Sequence, residues 1–324
     1  MILGLTRKEL EDGAKLVHEV VPPTPQYSWP LLNERAGTEV WVKHENHTAT
    51  GAFKVRGGLT LIDHLRRRNP KLAGLISATR GNHGQSVAFA GRRHGLRSVI
   101  VVPHGNSREK NAAMRAWGAE LVEHGRDYDE AREHAHELSK AQGLHYIGPF
   151  DRHLVTGVGS YAMELFGGAP ALDEVYVPVG CGSGICGVIA WRDALGLKTR
   201  VVGVVSENAA CYALSFAARR PVETKTADTF ADGVAVRVPV AEALQAILAG
   251  ADRIVHVSDD EVKAAMRDLY RCTHNLAEGA GAAPLAALLK DKDRQGARFA
   301  VILSGGNIDR ERYLEALGGT WSET

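Results

Sequence analysis

The 324-residue chain has few cysteines, no long apolar run and almost no net charge, and each shortage excludes a class of protein. Its four cysteines are Cys181, Cys186, Cys211 and Cys272, and no two are spaced C-x-x-C. That pattern suits neither a disulfide scaffold nor a structural zinc site, so a reducing, cytoplasmic setting is expected. Apolar stretches such as 99–102 fall far short of the roughly 18 residues a membrane helix needs. Residues 1–20 read as an amphipathic helix broken by charges, without the apolar centre of a signal peptide. Lys plus Arg number 39 against 38 Asp plus Glu, a formal net charge of +1. So near a balance gives neither nucleic acid nor an anionic membrane an electrostatic footprint. Repeats and low-complexity tracts are also missing. What remains is a globular chain near the upper size for one core, for which two lobes are the expectation.

Short β-branched runs alternate with stretches of helical spacing. Strands are predicted at 39–43, 74–78, 98–102, 120–123, 174–179, 200–205, 254–257 and 299–303, and helices at 85–94, 107–117, 128–142 and 259–270. Such alternation argues for βαβ units and parallel sheet. Ser258 followed by Asp259, Asp260 and Glu261 reads as an N-cap with an acidic first turn.

Four segments carry chemistry. In TGAFKVRG at 50–57, Lys54 sits among small and apolar neighbours. An amine held there loses hydration, its pKa falls, and the neutral form can make a Schiff base. Residues 178–187, PVGCGSGICG, run from a strand into a helical pattern. Amides at a helix start make an anion cradle, and Gly180, Gly182 and Gly184 let the anion approach. Gly182, Gly184 and Gly187 also partly fit a dinucleotide turn, with Glu207 roughly where an acidic ribose partner belongs, so a nucleotide-dependent oxidoreductase stays open. In SATRGNHGQ at 77–85, Asn82 can donate to a phenolate-type oxygen, while Thr79 and the turn amides can grip a carboxylate. The alternative there is that the glycines merely shape a turn. Ser304, in LSGGN at 303–307, can offer a neutral hydrogen bond to a pyridine nitrogen, which leaves the ring a weaker electron sink than a carboxylate would. Together the four match a pyridoxal 5'-phosphate (PLP) site.

In order and content these segments resemble the serine/threonine dehydratase and serine racemase family of fold-type II PLP enzymes, from Pro22 to Asn307. The resemblance implies an α/β fold of two lobes, each a mostly parallel sheet flanked by helices. Residues 1–63 and 151–324 would form the large PLP-binding lobe, and 64–150 the small lobe with the asparagine loop. It implies that Lys54 is the Schiff-base lysine, with Phe53 beside the ring and Asn82 on the ring hydroxyl. Gly180, Cys181, Gly182, Ser183 and Gly184 would hold the phosphate, and Ser304 would meet the pyridine nitrogen. The substrate would be a small amino acid lying against Thr79, Arg80, Gly81, Asn82, His83 and Phe150, near the segment 232–236. A homodimer is implied as well. The implied reaction is loss of water from a β-hydroxy-α-amino acid to give a 2-keto acid and ammonia, with Lys54 taking the Cα proton. Racemisation is the alternative within the family, and a catalytically silent PLP-binding protein the alternative outside it.

Departures from the family pattern carry information of their own. Arg80 stands where a serine is usual, and a guanidinium cannot exchange protons at any working pH. Poor racemisation is therefore expected, with Arg80 anchoring a carboxylate or assisting the leaving group. Cys181, Ser183 and Gly184 depart from the usual phosphate loop, although Ser183 adds a donor. Gly148 stands where histidine often precedes the proline, leaving room for a bulkier β-substituent, as in phenylserine. Glu207 is not at the offset expected for divalent-cation ligands, and no metal is expected. His44-Glu45-Asn46-His47 lacks the H-E-x-x-H spacing and reads as loop lining. His83 reads as a structural residue of its turn. The end of the chain at Thr324 leaves no place for a C-terminal regulatory domain, so feedback control is not expected.

Overall fold

The computed structural model describes residues 2–291 and 297–318. Among these, the strands are β1 (Gln26–Ser28), β2 (Glu39–His44), β3 (Gly74–Ala78), β4 (Arg97–Val102), β5 (Glu120–Glu123), β6 (His145–Tyr146), β7 (Glu174–Pro178), β8 (Arg200–Ser206), β9 (Arg253–Val257) and β10 (Arg298–Leu303). They form a six-stranded sheet ordered β1-β2-β10-β7-β8-β9 and a four-stranded sheet ordered β5-β4-β3-β6. Every pairing is parallel except β1 with β2. The fold is thus α/β, with two parallel-sheet units flanked by helices.

Helices cover both faces of each sheet, so the strands are apolar on both sides and lose the alternation of a half-exposed strand. In β10, Ala300 and Ile302 enter one core while Phe299, Val301 and Leu303 enter the other. In β4, Ile100 and Val102 face one cluster, and Val99 and Val101 the opposite one. Each of the eight predicted strands is present with its ends within one residue. β1 and β6 were not predicted. They are three and two residues long, and neither is long enough to show a pattern.

The helices begin where capping chemistry allows. Ser258 Oγ accepts from Glu261 N at 3.1 Å, the N-cap expected from sequence, and the Glu261 carboxylate accepts in return from Ser258 N at 2.8 Å. The helix predicted at 85–94 starts three residues earlier, as Asn82–Arg93, because its first turn lacks apolar periodicity. Helix Lys54–Arg68 contributes Val55, Leu59, Leu61 and Ile62 to the cluster that also contains Leu75 and Ile100 of the smaller sheet.

One turn into that helix, Arg56 is wholly buried. Its guanidinium donates to both Glu45 oxygens at 2.7 and 2.9 Å and to Glu164 Oε1 at 2.5 Å. Lys43, also wholly buried, donates to Glu164 Oε2 at 2.6 Å and to the Thr24 carbonyl at 2.8 Å. Two cations therefore cancel two carboxylates in the interior. Burial alone would push the Glu164 carboxyl up, but Arg56 and Lys43 hold it below its ordinary value. The 44–47 segment is accordingly not mere loop lining: Glu45 is an interior ion-pair partner. His44 is buried too, its pKa pulled down to about 4 by burial and then by His47. Removing one partner of such a set leaves an uncompensated charge, which costs about 3–5 kcal/mol. Arg56→Met should lower unfolding stability by about that amount in denaturant titration. A loss under about 1 kcal/mol would show that the cluster does not hold the helix in place.

Candidate active site

The first turns of helices Lys54–Arg68, Asn82–Arg93 and Ser183–Ala194 come together. None has a side-chain cap. The first amides of a helix have no partner within it and carry the positive end of its dipole, so three such ends together attract an anion. Lys54 is the first residue of its helix, and its Nζ lies 3.3 Å from Ser183 Oγ. Ser86 Oγ donates to the Lys54 carbonyl at 2.6 Å, tying the second helix to the first. Burial lowers the Lys54 pKa below 10.5, against the opposing pull of Cys181 and Glu278. The positive end of its own helix acts in the same direction as burial. Both effects favour the neutral amine over its charged form.

The other predicted cofactor residues gather around it. Phe53 N donates to the Ser304 carbonyl at 3.0 Å, and the Phe53 ring lies edge-on to Tyr161. Tyr161 in turn donates to the Gly184 carbonyl at 3.0 Å. Gly182 has φ +95°, and a β-carbon there would lie 2.6 Å from Ala243 Cβ. A β-carbon on Gly180 would lie 2.4 Å from the Gly233 carbonyl oxygen, so glycine is what lets the 232–236 segment close on this loop. Cys181 is raised by desolvation and remains a thiol close to Lys54.

In the turn before the second helix, Thr79 Oγ1 accepts from Gly81 N at 3.0 Å. Asn82 Nδ2 donates to Glu278 Oε1 at 2.7 Å, and Asn82 Oδ1 accepts from Asn307 Nδ2 at 2.9 Å. Asn307 Nδ2 also donates to the Thr50 carbonyl at 2.7 Å. These bonds fix which way the Asn82 amide points and leave one of its N–H hydrogens for a ligand. Glu278 and Lys110 were not foreseen from sequence. Lys110 Nζ bonds Asp232 Oδ2 at 2.6 Å and stands 3.5 Å from Glu278 Oε2. Burial opposes the Lys110 charge, but the two carboxylates hold its pKa above the ordinary value. Burial raises Glu278, with Lys110 opposing. Asn307 stands in the quoted LSGGN segment, so position alone was the available signal.

His83 is buried, and its pKa is brought down to about 3 by burial and then by Lys54. Phe150 is half-buried against the core of the larger sheet. Arg80 is the residue the structure does not bring to the amine. It is exposed and lines the mouth of a cleft of about 280 Å³ with His104, Lys110, Asp232 and Asn307. Among the described residues, no group of three or more His, Cys, Asp or Glu is placed to hold a metal. Among them too, no helix is long and apolar enough to cross a membrane.

A family described as "Pyridoxal-phosphate dependent enzyme" matches residues 17–305. The chain is 35% identical over 297 residues to an L-threonine dehydratase, biosynthetic, of Pasteurella multocida, covering 90% of this chain but only 58% of that one. It is 33% identical over 306 residues to an L-threonine ammonia-lyase of Thermotoga maritima, covering 94% and 76% respectively. The processed form of threonine deaminase isoform 2 from Solanum lycopersicum superposes with a TM-score of 0.89 at 31% identity, over 98% of this chain and 95% of that one. The chain therefore belongs to the pyridoxal-phosphate dependent enzymes, and its cofactor is PLP. The dinucleotide reading of 178–187 falls with that assignment.

The residues present fit the group: a desolvated amine of lowered pKa, uncapped helix starts and a glycine-rich loop suit an aldehyde that carries a phosphate. Asn307→Ala, which frees the Asn82 amide, should weaken PLP binding about tenfold, equivalent to about 1.4 kcal/mol of lost hydrogen bonding. Titrating the apoprotein with PLP by absorbance checks this, and unchanged affinity would mean that Asn82 needs no such brace.

Proposed function

We propose that the protein eliminates water from a β-hydroxy-α-amino acid, releasing a 2-keto acid and ammonia. The observation that carries the proposal is the desolvated Lys54 amine at the meeting of three helix starts. The relatives named as threonine dehydratase and threonine ammonia-lyase support the same reaction. PLP, when bound, supplies an aldehyde for the substrate amine and a conjugated ring that draws electron density from Cα. Lys54 Nζ, whose neutral form is favoured by burial, takes the Cα proton and holds it, with Ser183 Oγ at 3.3 Å as its nearest bonding partner. The amides at 182–184 and the Ser183 hydroxyl would hold the phosphate. Asn82, braced by Glu278 and Asn307, would orient the ring, and Ser304 would offer its hydroxyl to the ring nitrogen. Loss of hydroxide from Cβ leaves an enamine. Its imine tautomer takes up the water again as it splits into keto acid and ammonia.

Elimination is favoured over racemisation because Arg80, at the position of the usual serine, is exposed and permanently charged. No proton exchange opposite Lys54 comes from that position. For the lobes we propose residues 1–63 with 151–324 as the PLP-binding unit and 64–150 as the smaller one. We propose a homodimer as the assembly.

The preferred substrate in this reading has an aryl β-substituent, because Gly148 carries no side chain where the family often has histidine. A β-carbon there would meet nothing nearer than the Phe150 carbonyl and Tyr146 Cε1, both at 3.9 Å. Gly148→Ala should therefore fold normally yet lower kcat/KM for phenylserine about tenfold relative to threonine. A threonine preference in the unaltered enzyme, or no change in the ratio, would contradict the aryl assignment. Lys54→Ala should reduce keto-acid release by about a thousandfold or more, since it removes both the covalent anchor and the base. Near-normal turnover in that variant would rule out the mechanism.

A further inference from the structure

Glu278 braces Asn82, and its surroundings give that carboxyl a second task. It lies between two segments expected to meet the cofactor ring. Asn82 Nδ2 donates to Glu278 Oε1 at 2.7 Å, and a β-carbon on Gly305, next to Ser304, would lie 2.6 Å from the same oxygen. The Glu278 backbone N–H donates to the Gly305 carbonyl at 3.0 Å, which fixes where the side chain starts. Glu278 is only 2% exposed, so water does little to stabilise a charge on it.

The nearby cation is shared unequally. Lys110 is buried, its stem packed on the asparagine loop: a β-carbon on Gly81 would lie 2.4 Å from Lys110 Cδ. Its Nζ stands 2.6 Å from Asp232 Oδ2 but 3.5 Å from Glu278 Oε2. Asp232 is therefore the better-paired carboxylate, and Glu278 Oε2 makes no hydrogen bond. One ammonium cannot neutralise two carboxylates, so the group of three is balanced only when one carboxyl keeps its proton. The worse-paired and more buried of the two is Glu278. It lines the cleft of about 280 Å³ with Lys110 and Asp232, which gives its proton a route to solvent. The other charged or titratable lining groups are Arg80, His104, Asp309 and Arg312. Among the described residues, none of these four bonds or ion-pairs with Glu278.

We propose that Glu278 is a positioning residue that acts as a neutral acid: it accepts from Asn82 while keeping its own proton, so that no second anion stands beside the ring oxygen that Asn82 meets. This rests on the reading of Asn82 as the donor to the ring hydroxyl. Burial, with Asp232 adding to it and Lys110 opposing, raises Glu278 to about 7. Glu278 thus holds its proton below that pH and loses it above. Once ionised, it disfavours a negative ring oxygen and pulls the Lys54 pKa upward, against burial.

The visible absorption of PLP in the holoenzyme, followed against pH, reads this without turnover. The unaltered protein should show a transition with its midpoint near 7. Glu278→Gln keeps an acceptor for Asn82 but has no proton to lose, and should show no transition there. Asp232→Asn leaves Lys110 to Glu278 alone and should lower the midpoint by about one pH unit. A flat profile in the unaltered protein, a transition that survives in Glu278→Gln, or an unmoved midpoint in Asp232→Asn would each overturn the proposal. If Glu278→Gln fails to fold or to hold PLP, the midpoint in Asp232→Asn decides. Keto-acid release is read separately. Its absence alongside the expected midpoints would defeat the elimination reading and leave the role of Glu278 standing.

Discussion

An amine that must be neutral is placed where two forces oppose its charge. Lys54 is half-buried with its amine desolvated, and it is the first residue of its own helix, at the positive end of the dipole. Solvation would restore the charge, so the arrangement works only while the first turn stays seated. Two residues on, Arg56 points the other way into the interior and is held there by Glu45 and Glu164. A single turn thus has a reactive end and an anchored end. The anchor must be charge-balanced because water cannot reach it, and Lys43 completes the balance.

Parallel sheets explain why the remaining groups arrive at the same place. Strands running in one direction deliver the loops that follow them to a common edge. β3 ends at the Asn82 loop, β7 at the glycine loop and β10 at Ser304. Two of these loops open directly into helices whose first amides are uncapped, and the third hydrogen-bonds to the residue before Lys54. A positively polarised pocket follows from topology with little help from charged side chains. Such a pocket suits an anion even in a chain whose overall charge is close to neutral.

Local chemistry was readable in the sequence, and distant pairing was not. The β-branched runs predicted the strands because burial on both faces of a parallel sheet requires them. Lys54, Asn82 and the 180–184 loop could be singled out because glycine and lysine at those spacings have few other uses. Glu278 escaped notice because its partner Asn82 is 196 positions away, and nothing around a lone glutamate distinguishes it. The Arg56–Glu164 pair, 108 positions apart, was hidden in the same way, and Glu45 was misread as loop lining. Arg80 shows the opposite limit: its chemistry was clear, but its exposure at the cleft mouth depends on tertiary structure.

Hydride reduction of the holoenzyme followed by peptide mapping tests the central claim most directly. The account predicts one stable pyridoxyl group, carried on the peptide that contains Lys54. A modified lysine elsewhere, or no modified peptide at all, would contradict it.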